Sequence, residues 1–67
     1  MTYDELNIAI DSLEQHLTAE TKSLLAQLLL ERGEKRRLAH NPEGALEDAR
    51  RAFALDPTLV NRLNYKS

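Results

Sequence analysis

The sequence predicts an all-α protein, and three observations lead to that prediction. Apolar residues recur at alternating steps of three and four, strong helix formers fill the middle of the chain, and two cap-plus-proline signals, Asn41-Pro42 and Asp56-Pro57, mark helix starts. No alternation of apolar and polar residues typical of a strand occurs in the sequence. With 67 residues, the chain is expected to form one small helical domain over residues 1–67.

The first helix is predicted over residues 2–17. Thr2 and Glu5 are spaced as a capping box, in which each side chain accepts a hydrogen bond from the other residue's free backbone amide. An apolar stripe then runs down about four turns of one helix face. Its members are Tyr3, Leu6, Ile10, Leu13 and Leu17.

The second helix is predicted over residues 19–39, with Thr18 as its cap. Five leucines between positions 24 and 30 cover most of its circumference, which is typical of a helix packed on more than one side. The charged run ERGEKRR, residues 31–37, falls inside this helix. Because acidic and basic residues interleave one turn apart, we interpret the run as a solvated helix face whose charges pair along the helix.

The third helix is predicted over residues 42–55, followed by a short fourth helix or tail over residues 57–63. Asn41 is a favourable N-cap, and Pro42 suits the first helical position because it has no amide that needs a partner. Alanines recur along this helix at steps of four and three, so they form a flat face that another helix can approach closely. These are Ala45, Ala49 and Ala52.

Composition narrows the functional classes. The 9 basic and 11 acidic residues give a net charge of −2, which argues against a general nucleic-acid or anionic-membrane binder. The chain has no cysteine, and His16 and His40 stand in no ligand spacing, so we expect neither a metal nor another cofactor. No catalytic triad, HExxH motif or phosphate loop occurs, and the N-terminus lacks the features of a signal peptide. We therefore expect a cytoplasmic protein that is not an enzyme.

The segment EGALEDARRAFALDP, residues 43–57, resembles the second helix and terminus of a tetratricopeptide repeat (TPR). Aligned on this chain, the repeat spans about residues 26–59. The resemblance implies a three-helix, TPR-like helical-hairpin bundle with a short C-terminal fourth helix. It assigns repeat-packing positions to Leu29, Gly33, Ala45, Ala49, Ala52 and Pro57.

The first helix of the repeat departs from the signature. Arg32 and Arg36 stand where the family has Leu and Tyr, and Ala49 replaces the aromatic residue of the second helix. Two explanations are open. Either the arginine stems cover apolar surface while their charged ends reach water, or another helix reshapes this end of the repeat.

The resemblance also implies a use for the second helix, because first helices line the concave ligand groove of tetratricopeptide proteins. Leucines not needed for the core extend that surface. The predicted partner-binding residues are Leu24, Gln27, Leu28, Leu30, Glu34 and Arg37. The lysine and asparagine pairs that clamp a peptide carboxylate in chaperone-binding members are not matched here.

We therefore expect a protein–protein interaction module that self-associates or docks on a partner protein. A chain this short buries little surface alone, so we expect a homo-oligomer, most simply a dimer. A plain helical bundle with a chance resemblance to the repeat is one alternative. A nucleic-acid-associated regulator using the basic residues between Arg32 and Arg37 is another, and an enzyme is the remotest.

Overall fold

We describe the fold from a computed structural model, in which residues 1–59 are placed. They form three α-helices: α1 (Tyr3–Gln15), α2 (Ala19–Leu38) and α3 (Pro42–Leu55). The predicted all-α class is confirmed, and residues 1–59 contain no strand. No helix in this range combines the length and the apolar composition needed to cross a membrane.

The predicted caps set the starts of the helices. The Thr2 amide donates to Glu5 Oε1 at 2.9 Å, and the Glu5 amide donates to Thr2 Oγ1 at 3.2 Å, which completes the capping box of α1. Thr18 and Thr21 form the same reciprocal pair at the start of α2. Because Thr18 has an extended backbone, α1 ends at Gln15, two residues before the predicted end.

A tight turn between α2 and α3 brings the two helices into an antiparallel hairpin. His40 has φ of 64°, the left-handed conformation that usually selects glycine or asparagine after a helix. The amide of Asn41 donates to the carbonyl of Arg36 at 2.8 Å, and that of His40 to Arg37 at 3.1 Å, so the turn satisfies two helix-terminal carbonyls. Asn41 then caps α3 by accepting from the Gly44 amide at 3.2 Å.

The core lies around α2, which packs against α3 along one flank and against α1 along another. Its buried apolar residues come from all three helices and from the segment that follows α3. They are Leu6, Ile10, Leu25, Ala26, Leu29, Ala52 and Leu59. The two ends of the predicted α1 stripe, Tyr3 and Leu17, are instead 40% and 42% exposed, because α2 covers only the middle of that face.

The segment after α3 is held by Asp56. Its carboxylate accepts from Ser23 Oγ of α2 and from the Thr58 amide, each at 3.2 Å. Pro57 is exposed, and Leu59 is buried in the core. Of the predicted fourth helix, residues 57–63, Thr58 and Leu59 are helical, and residues 60–63 lie outside the described part of the chain.

Candidate interaction site

The antiparallel hairpin of α2 and α3 has two chemically distinct sides. On the side that α1 covers, a buried carboxylate gathers two guanidinium groups. On the other side, an open groove runs between α2 and α3. We call the first the polar cluster (Asp48, Arg32, Arg36, Asn7 and Tyr3) and the second the groove (Leu30, Gly33, Glu34, Arg37, Pro42, Ala45, Leu46 and Ala49).

Asp48 is the centre of the polar cluster, and its side chain is only 4% exposed. Arg32 donates to both carboxylate oxygens, from Nε at 3.0 Å and from a terminal nitrogen at 2.8 Å. Arg36 adds a third contact at 3.4 Å. A carboxylate removed from water is stable only with such charge-assisted partners, so the three side chains act as one unit.

Both arginines also reach α1. Arg32 donates from its second terminal nitrogen to Asn7 Oδ1 at 3.1 Å, and Arg36 donates from Nε to the Tyr3 hydroxyl at 3.0 Å. Arg36 also lies over the Tyr3 ring, with its guanidinium carbon 6.0 Å from the ring centroid. The cluster thus joins all three helices through polar contacts.

The electrostatics of Arg32 follow from this geometry. The hydrogen bonds that Arg32 donates to Asp48 raise the pKa of Arg32 above its ordinary value, and partial burial works against that rise. The guanidinium is therefore charged at every physiological pH, and the cluster cannot relieve its burial by losing that proton. Within residues 1–59, no buried side-chain nitrogen or oxygen is left without a partner.

The interpretation of residues 31–37 as a solvated helix face is wrong at Arg32 and Arg36. Their side chains are 15% and 23% exposed, and they pair across helices rather than along α2. Neither of the two explanations left open for these positions included Asp48, and α1 also contacts both arginines. The positions still face the core, but Asp48 supplies the charge that makes arginine acceptable there.

Sequence reasoning missed Asp48, although a signal was present. Asp48 lies three residues after Ala45 and four before Ala52, which places it on the buried alanine face of α3. An acidic residue on a face meant for close packing requires a buried cation, and two arginines one turn apart on the facing helix supply it.

The groove on the opposite side has a volume of about 350 Å³. Gly33, Ala45 and Ala49 lie along it, and Leu30, Pro42 and Leu46 contribute its larger apolar side chains. Leu46 is 52% exposed, so an apolar side chain is presented to solvent beside the groove. Apolar surface of this kind has no covering element within the described chain.

The small residues lie there because the two helices cross closely. A Cβ added at Gly33 would lie 3.3 Å from the Ala45 carbonyl oxygen and 3.3 Å from the Asp48 Cβ. Gly33 therefore lies where α2 and α3 approach each other closely, and Ala45 faces it. Because Arg32 precedes Gly33 in the chain, the same crossing brings Arg32 level with Asp48.

One ion pair borders the groove. Arg37 makes a bidentate contact with Glu34 one turn earlier on α2, and their side chains are 60% and 56% exposed. This pairing matches the prediction for these two residues. The guanidinium lowers the pKa of Glu34 from its ordinary value, and the carboxylate raises that of Arg37.

The structure separates the six predicted partner-binding residues. Leu30, Glu34 and Arg37 lie together along the groove. Leu24 is 48% exposed and Gln27 is exposed, both outside the groove lining. Leu28 is half-buried and packs against the core.

The repeat-packing residues are also divided. Leu29, Gly33 and Ala52 are buried, whereas Ala45 and Ala49 are half-buried along the groove. Pro57 is exposed. The basic residues of the nucleic-acid alternative are likewise dispersed, since Arg32 and Arg36 bind Asp48 while Arg37 binds Glu34.

Residues 1–59 contain no group of three or more His, Cys, Asp or Glu side chains placed to hold a metal ion. The arrangement instead provides a shallow apolar groove with one paired charge of each sign at its edge. No family model matches the chain, and no curated protein or solved structure matches it.

Proposed function

We propose that this protein is a TPR-like protein–protein interaction module whose groove receives a partner protein. The observation that carries the proposal is the apolar groove between α2 and α3, with a volume of about 350 Å³ and no covering element among residues 1–59. Apolar surface left open in a small soluble domain is typical of a docking site for another chain.

The form of the hairpin supports the TPR-like part of the proposal. Gly33 of α2 faces Ala45 of α3 at a close helix approach, the pairing that the resemblance expects. The polar cluster supports the binding role indirectly. Because it attaches α1 to the opposite side of α2, it leaves the groove side of the hairpin open.

The chemistry of the groove indicates what a partner must present. Its lining is mostly apolar, and the Glu34 and Arg37 charges satisfy each other. A partner therefore gains chiefly by burying apolar side chains, with polar contacts at the rim that orient it.

The test compares three baits in a quantitative capture experiment, followed by titration of the purified partner. Leu46→Glu places a charge at the groove, and Ile8→Glu is the matched control, because Ile8 is 70% exposed on α1. The partner should bind the wild type and Ile8→Glu equally and lose binding to Leu46→Glu. Equal binding to all three baits would contradict the proposal.

A further inference from the structure

The rim of the groove carries one anion and one cation side by side, Glu34 and Arg37. Both side chains are more than half exposed, at 56% and 60%, so each has hydrogen-bonding capacity directed at solvent as well as at its neighbour. A foreign partner with a single sign of charge would meet one favourable and one unfavourable group here. A pair of adjacent opposite charges is complementary to a second copy of the same pair turned by 180°.

An isologous contact requires a self-complementary surface, because a twofold axis places the same patch on both sides of the interface. Every residue on the axis meets itself, and two residues that flank the axis meet each other. With the axis passing between Glu34 and Arg37 and perpendicular to α2, each carboxylate faces the guanidinium of the other copy. Like charges are then kept apart.

We propose that the groove of one chain docks on the groove of a second copy, with the two α2 helices antiparallel. The proposal rests on the proposed function, because it uses the same groove and names its occupant. Two equivalent Glu34–Arg37 contacts form across the axis. They join the pair already present within each chain, so four charges make one network at the centre of the contact.

The apolar residues around the charges fit the same arrangement. Leu30 lies one turn before Glu34 on α2, and Leu46 of α3 also lines the groove. Leu38, one turn after Glu34, is 66% exposed. A second copy would then cover apolar side chains on both sides of the charged centre.

The experiment uses charge reversal and measures mass by sedimentation equilibrium over a wide concentration range. Glu34→Arg and Arg37→Glu each place like charges across the axis twice, so each variant should dimerise at least about tenfold more weakly than the wild type. An equimolar mixture of the two variants should recover the dimer, because position 34 of one variant then meets the opposite charge at position 37 of the other in both contacts across the axis. The double variant E34R/R37E should also dimerise by itself.

Recovery in the mixture shows that the single variants are folded, and the exposure of both positions makes unfolding a minor concern. Helical circular dichroism of each variant provides the direct control. A wild-type mass of one chain up to the solubility limit would overturn the self-docking proposal. Dimerisation of Glu34→Arg and Arg37→Glu as strong as that of the wild type would also overturn it.

Failure of this proposal is distinguishable from failure of the proposed function. The capture experiment with Leu46→Glu measures a different protein bound at the groove and does not depend on the mass of this chain alone. A monomer that binds a partner in a Leu46-dependent way would leave the groove as a docking site and remove only the second copy as its occupant.

Discussion

Two bidentate arginine–carboxylate pairs lie on opposite sides of α2, and they differ mainly in burial. The Arg32–Asp48 pair joins two helices, with side chains 15% and 4% exposed. The Arg37–Glu34 pair lies within one helix, with side chains 60% and 56% exposed. The same chemistry therefore operates in two dielectric environments, only a short distance apart along α2.

The difference teaches which pair the fold depends on. An exposed pair contributes little to stability, because water screens it and the free side chains are well solvated. A buried pair contributes little net stability as a pair, but removing one member leaves a charge without water or partner. The buried pair thus specifies how the helices assemble, and the exposed one is free for contacts with another molecule.

Replacing Asp48 is the strongest way to break this contrast. Asp48→Ala should lower the free energy of unfolding by about 3–5 kcal/mol, because Arg32 and Arg36 lose their common partner while partly buried. For a chain of this length, the whole stability is on the order of 3–10 kcal/mol. Urea unfolding followed by circular dichroism measures the change. Because the expected loss is close to the total stability, a variant that is partly unfolded without urea would agree with the prediction.

The matched control is Glu34→Ala, which removes the exposed carboxylate and should leave the urea unfolding midpoint close to that of the wild type. Asp48→Asn serves where Asp48→Ala does not fold, because it keeps the shape and removes the charge. Equal losses at positions 48 and 34 would contradict the contrast between the two pairs.

Restoring the residues of the repeat signature tests the same cluster from the arginine side. The double variant R32L/R36Y should destabilise the fold by about 3–5 kcal/mol, since Asp48 becomes an unpaired buried charge. Adding Asp48→Ala should recover most of that loss, because apolar residues of suitable volume can replace a buried ion pair. Unfolding midpoints of the double and triple variants give the comparison.

Failure of the third substitution to rescue the double variant would mean that the arginines do more than neutralise Asp48. Success would show that the hairpin accepts the apolar packing of a tetratricopeptide repeat at these two positions. The differences from the signature at positions 32 and 36 would then be explained by a single coupled exchange with position 48.

A smaller effect is expected at the helix crossing that aligns the buried pair. Gly33→Leu should destabilise by about 1–3 kcal/mol through overpacking, since even a Cβ at that position meets the Ala45 carbonyl at 3.3 Å. Gln27→Leu adds a leucine at an exposed position of α2 and should stay within about 0.5 kcal/mol of the wild type. Thermal unfolding of both variants suffices, and an unchanged melting temperature for Gly33→Leu would argue against a close crossing.

Local signals in the sequence predicted the three helices, because caps and apolar spacing are properties of neighbouring residues. Thr2, Thr18 and Asn41 each cap the helix expected of them. The end of α1 was less predictable, since Leu17 continued the apolar stripe but Thr18 already adopts the extended backbone of the next cap. Here the Thr18 cap of α2, and not the apolar stripe of α1, determines where α1 ends.

The candidate site was only half predictable, because it depends on the register between helices. The resemblance placed Gln27, Leu30, Glu34 and Arg37 on one surface of α2, and the last three line the groove together. The roles of Arg32 and Arg36 depend on Asp48, 16 residues further along the chain from Arg32, and on Asn7 in another helix. Spacing within one helix carries no information on such a contact, although the position of Asp48 among alanines gave a clue.

The pH dependence of the exposed pair gives the smallest effect and completes the contrast. The Arg37 guanidinium lowers the pKa of Glu34 below its ordinary value of 4.5. The contribution of this pair is therefore fully present above the ordinary pKa and is lost as the pH falls through the lowered folded-state value. Carbon-detected NMR titration of Glu34 measures its pKa directly, and Arg37→Gln should return it toward the ordinary value. An unchanged midpoint in that variant would mean that the pair does not persist in solution, and the charges at the rim would then be separately available to a second copy.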